Sequence, residues 1–170
     1  MEAPVGWIAS GKAPQDYEFG LDGSERHSGT RSAMLRARHA RPAGFATLMQ
    51  EFVPDDYRGR RVRLAGWVKT NAVTGACHLW MRADSAGRMG AAMDNMHDRP
   101  ITGTTDWRRH EIVLDVPGEA TLLAFGISLD GPGTAWLDDV TLETVGLDVP
   151  TTNPRPRELP HRPRNLAFEE

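Results

Sequence analysis

The feature that most limits what this chain can fold into is a period of two. Between residues 17 and 145, short runs of alternating apolar and polar residues follow one another, divided by Gly, Pro, Asp and Asn, and none keeps a helical spacing. In an extended strand successive side chains point to opposite faces, so each run buries one face and wets the other. The pattern predicts strands over 17–21, 32–37, 45–52, 61–70, 76–84, 88–96, 107–116, 121–129 and 135–145. Turn formers fall between them, at Asp55-Asp56, Ser85-Ala86-Gly87, Pro117-Gly118 and Asp130-Gly131-Pro132-Gly133. About nine such strands suit an all-β fold, a two-sheet antiparallel sandwich of immunoglobulin-like or jelly-roll type.

The same period assigns faces. Val62, Leu64, Gly66 and Val68 share one side of their strand, and Arg63, Ala65, Trp67 and Lys69 the other. In the next run Cys77, Leu79 and Met81 oppose His78, Trp80 and Arg82. Two neighbouring strands are therefore expected to present an aromatic and a cation together.

A chain of 170 residues suits one domain. Residues 1–145 carry the sandwich pattern. Residues 146–164 hold five prolines and read as an extended linker, and residues 165–170, Asn-Leu-Ala-Phe-Glu-Glu, return to a short strand-like pattern. The net charge of -3 and scattered basic residues give no footprint for nucleic acid. No apolar run is long enough to cross a membrane and no signal-peptide pattern opens the chain, so no membrane partner and a cytoplasmic location are expected. Cys77 is the only cysteine, which excludes an intrachain disulfide, and its apolar run points to a buried, inert thiol.

The motifs Gly6-Trp7, His27-Ser28-Gly29-Thr30-Arg31-Ser32, Gly66-Trp67-Val68-Lys69, Thr105-Asp106-Trp107 and Trp136-Leu137-Asp138-Asp139-Val140-Thr141-Leu142 follow in an order that resembles the carbohydrate-binding modules of families four, nine and twenty-two. The resemblance implies a galactose-binding-like jelly roll. Such modules begin with an Asn-Leu-x-Phe-Glu-Glu strand shortly before Gly-Trp, whereas here that segment stands at residues 165–170. Three readings stay open: a circular permutation in which the segment folds back as the first strand, its exchange with a second copy to give a homodimer, or the start of a further repeat. The resemblance also implies a structural calcium ion held by Glu169, Ser28, Gly29, Ser32 and Asp138, a set of oxygen donors suited to that cation. No organic cofactor is implied.

The expected functional surface is a concave sheet carrying Trp67, Lys69, His78, Trp80 and Arg82, with Met93, Asn95 and Met96 beside it. Aromatic rings there would stack on a sugar or small-molecule ligand, and polar neighbours would bind its hydroxyls. The methionines favour an apolar pocket. A second function class uses the same cleft as a cofactor-free cyclase or isomerase of an apolar small molecule, as jelly-roll cyclases of cyanobacterial alkaloid pathways do by fold analogy. Asp94 or His97 would then be the acid or base. No nucleophile triad, phosphate loop or zinc spacing occurs in the sequence.

Overall fold

The computed structural model describes residues 4–153. Its strands, in chain order, are β1 (Ile8–Gly11), β2 (Tyr17–Asp22), β3 (Ser32–Ala37), β4 (Ala46–Phe52), β5 (Arg61–Ser85), β6 (Arg88–Asp94), β7 (Ile101–Asp115), β8 (Ala120–Asp130) and β9 (Thr134–Val145). A single 3-10 turn at Pro14–Asp16 precedes β2.

Two antiparallel sheets share β5. Its first half lies between β7 and β9, with Leu64 opposite both Ile112 and Leu142. Its second half lies between β6 and β8, with Met81 opposite Asp94 and Phe125. One sheet therefore runs β2-β3-β9-β5-β7 and the other β1-β4-β8-β5-β6. This is a jelly-roll sandwich: the alternation predicted two packed antiparallel sheets, and the family resemblance the jelly roll.

The alternation expected separate strands over 61–70 and 76–84; they are instead the two halves of one strand that passes from sheet to sheet. The passage is made where pairing is irregular, between Thr70 and Cys77, with Ala72 in the left-handed region at φ 53°. Gly75 sits against the β8 turn so closely that a Cβ there would lie 2.0 Å from the Asp130 carbonyl oxygen. These irregularities let both halves keep their apolar side on the same core. Val62, Leu64, Val68, Cys77, Leu79 and Met81 are all fully buried, as their spacing required.

Each such side chain contributes about 1.5–3 kcal/mol on burial. A slip of one residue would expose all of them, which fixes the register. The β1 strand was not foreseen, because Ile8-Ala9-Ser10-Gly11 is short and pairs only with β4 at a sheet edge.

Candidate functional site

The outer faces of the two sheets differ. On the first sheet the aromatic face is covered by the chain's own 23–31 loop. Lys69 Nζ donates to Glu25 at 2.8 Å, and the Trp136 indole donates to Asp22 at 2.9 Å. The His27 ring stacks on Trp67 with centroids 3.9 Å apart, and its Nδ1 lies 2.6 Å from Asp139. Asp139 also accepts from the Ser28 hydroxyl, and Asp138 accepts from the backbone N–H groups of His27 and Ser28. A bulge between Ala65 and Trp67, with Asp139 at φ 48°, turns these neighbouring carboxylates toward the loop. The hydroxyl of Ser28 and the His27 ring hold the Asp139 carboxyl below its ordinary pKa.

Trp67 and Lys69 therefore anchor a loop and do not share a face with Trp80. The expected pairing of their aromatic and cationic side chains on one surface is corrected by the passage of β5 between sheets.

The second sheet has an open outer face. Its register aligns Ser10, Thr47, Ser128 and His78 in a polar row across β1, β4, β8 and β5. The adjoining row carries Met49, Gly126 and Trp80, and the next Ala124, Arg82 and Met93. The Trp80 indole lies over the sheet toward β4, where its N–H donates to Thr47 Oγ1 at 2.8 Å; Thr47 in turn donates to the Ile127 carbonyl at 2.9 Å. No side chain fits at position 126, since a Cβ would come within 2.2 Å of the Leu48 carbonyl oxygen. The indole thus becomes the floor of a cleft of about 380 Å³, lined also by Phe45, Met49, His78, Arg82, Met93, Asn95 and Asp130.

Its two ends differ in charge. Partial burial lowers the His78 pKa, against the opposing pull of Asp130, so the imidazole meets a ligand as a neutral group. Arg82 at the other end is held through Nε by Asp84, whose carboxylate also accepts from the Gly90 N–H at 2.6 Å.

Of the remaining sequence candidates, Met93 and Asn95 line the cleft, while Met96 is buried in the core. Asp94 turns away from it. Its carboxylate is buried and accepts from Arg99 Nη2 and the Thr152 hydroxyl, both at 2.6 Å, and from the Met96 N–H at 2.9 Å. His97 is exposed and does not line the cleft. Sequence reasoning missed Ser10, Thr47, Met49 and Ser128, because their part in the site comes from strand register rather than from any local motif.

For calcium, Asp138 is engaged by backbone donors, and the Ser32 hydroxyl donates to the Glu25 carbonyl at 2.5 Å. Among the described residues no three acidic, His or Cys side chains gather around a common point; the set expected for calcium rests instead on hydroxyl and backbone oxygens and on Glu169 beside Asp138. Glu169 lies outside the described residues, as does the rest of 165–170.

A second concavity of about 450 Å³ opens between the sheets against Trp7, Leu21, Ala33, Phe125, Val140 and Leu142. It follows β9 beyond Leu137, where its pairing with β3 ends.

The jelly-roll sandwich is the fold of solved carbohydrate-binding modules. The xylan-binding domain CBM22-1 of Paenibacillus barcinonensis Xyn10C matches with a TM-score of 0.59 and 16% identity, over 85% of this chain and 89% of that one. The Stig cyclase Fisc of Fischerella sp. TAU matches with a TM-score of 0.61 and 13% identity, over 85% and 87% of the two chains. At such identities the likeness is one of fold. No protein-family model matches the chain. In sequence it is 46% identical over 167 residues to the uncharacterized HTH-type transcriptional regulator YbfP of Bacillus subtilis strain 168. That match spans 97% of this chain and 57% of the regulator.

Proposed function

We propose that the chain is the ligand-sensing module of a regulatory protein, holding a carbohydrate or comparable ring-bearing small molecule in the Trp80 cleft. The observation that carries this reading is the contrast between faces. The aromatic surface of the first sheet is closed by the 23–31 loop, whereas Trp80 forms a floor beside convergent polar groups on the second. An indole and a row of hydroxyl and imidazole groups are the complement of a sugar ring and its hydroxyls.

The xylan-binding neighbour supports the ligand class, and the name of the YbfP relative supports the regulatory setting. A helix-turn-helix reads DNA with helices, and residues 4–153 contain no α-helix. DNA contact would therefore fall to another part of such a protein, with this module reporting the ligand, in the cytoplasm. The catalytic alternative built on Asp94 and His97 gains nothing from this geometry, since neither residue lines the cleft.

The test is retention on an oligosaccharide panel. Wild type should bind at least one member without turnover. Ser128→Tyr, which fills the cleft from its polar row, and Trp80→Ala, which removes its floor, should both lose that binding. Retention unchanged in Ser128→Tyr would place the ligand elsewhere and refute the proposal.

A further inference from the structure

We infer that the ligand of this cleft carries a carboxylate, as a sugar acid does, and that Arg82 reads it; the inference rests on the cleft being the binding site. Arg82 stands on the outer face of β5, with Met93 of β6 on one side and Ala124 of β8 on the other. Its Nε is bound by Asp84 at 2.9 Å. Among the described residues that carboxylate is its ion-pair partner, and its two terminal nitrogens are left for the cleft it lines. Clamping Nε fixes the plane of the guanidinium, and the terminal N–H groups then form a preset fork that matches the two oxygens of a carboxylate. Asp84 also cancels part of the charge, so the site favours an anion with bidentate geometry over anions in general.

The rest of the cleft orients such a ligand. Arg82 lies four positions along β5 from His78, about 13 Å at strand rise. Over that span the floor is Trp80, and the far end presents His78, Ser128 and Asp130. The Asp130 carboxylate repels an acid placed at that end, and the neutral His78 and Ser128 suit uncharged hydroxyls. A ligand therefore lies with its acidic group on Arg82, its rings over Trp80 and its hydroxyls toward the polar row. Met93 and Ala124 beside Arg82 are uncharged, and among the described residues lining the cleft Arg82 is the one Arg or Lys, which favours a singly charged group over a phosphate.

The experiment compares trigalacturonic acid with its fully methyl-esterified form, which keeps the ring chain and removes the charge. Binding to wild type, Arg82→Gln, Arg82→Lys and Ser128→Tyr is measured by calorimetry at two salt concentrations. Wild type should prefer the acid by about tenfold or more, the usual worth of a charged hydrogen-bonded contact. Arg82→Gln should bring the acid's affinity down to about that of the ester, and Arg82→Lys should keep part of the preference, with unchanged melting temperatures showing that each variant folds.

Equal binding of acid and ester by wild type, abolished by Ser128→Tyr, would overturn this inference and leave the cleft reading standing. A preference for the acid that persists in Arg82→Gln would overturn the role of Arg82. Binding that Ser128→Tyr leaves intact would overturn the cleft reading, and this inference with it, as would no binding of either sugar together with no retention on the wider panel.

Discussion

Replacing Asp94 by Asn separates a structural acid from a chemical one. The Asp94 side chain is 1% exposed, and it binds Arg99, which is 33% exposed. It also joins three parts of the chain: the end of β6, the 95–99 turn, and Thr152, which adds a further link to β7 through Val113. The amide of Asn keeps one acceptor, but its NH2 group must face the Arg99 or Thr152 donors. Removing one partner of a buried pair costs about 3–5 kcal/mol, and partial hydration of Arg99 reduces this to about 2–4 kcal/mol. For a domain of this size that is a fall in Tm of roughly 5–12 °C. Thermal unfolding followed by circular dichroism reads the shift, and ligand titration of the folded variant reads the site. The account expects a lower Tm with affinity unchanged. A variant that melts within about 1 °C of wild type but loses binding or turnover would refute the structural assignment and return Asp94 to the chemistry.

Three further outcomes follow from the same contacts. Hydrogen bonds from Ser24 and Trp136 outweigh burial and hold the Asp22 pKa at about 2, below its unfolded value, so its stabilisation is present above about pH 4 and is lost as pH falls toward 2. Tm measured across that window should drop, and Asp22→Asn should flatten the drop; an unchanged slope would contradict the role given to Asp22. Burial pushes the Cys77 thiol up to about 12, so iodoacetamide at pH 8 should label it only after denaturation, and rapid native labelling would contradict its place in the core. Deleting residues 165–170 should lower Tm if that segment covers the groove beside β9, since burying Leu166 and Phe168 contributes about 3–5 kcal/mol before the cost of ordering the linker. Calcium should then raise the Tm of the full chain only, and loss of a dimer on deletion would indicate strand exchange. A truncated chain that melts as before, with or without calcium, would show that the segment has no such part.

Much of the fold was legible because burial enforces a period of two: Val62, Leu64, Cys77 and Leu79 declare their face wherever the strand lies. What the period cannot show is which sheet a strand belongs to. Val68 and Cys77 lie on either side of a bend made by Ala72 and Gly75, and no pattern states that the strand continues through it. For the same reason Trp67 and Trp80 looked equivalent, although one supports a loop and the other a cleft floor. His78, Trp80 and Arg82 were singled out by outward spacing and polarity, Met93 by a cluster of methionines in the sequence, and Asn95 by a polar segment at a strand end. Thr47 and Ser128 were not, because a Thr or Ser in a strand becomes part of a site only through the neighbour that register supplies.

The most direct test of the cleft is an NMR titration with the tightest-bound oligosaccharide of the panel, following assigned indole and backbone N–H signals. The account predicts that the Trp80 indole and the amides of Gly126 and Ser128 shift with the ligand while the Trp67 and Trp107 indoles stay still. Shifts confined to Trp67 and Trp107, with Trp80 unmoved, would contradict it.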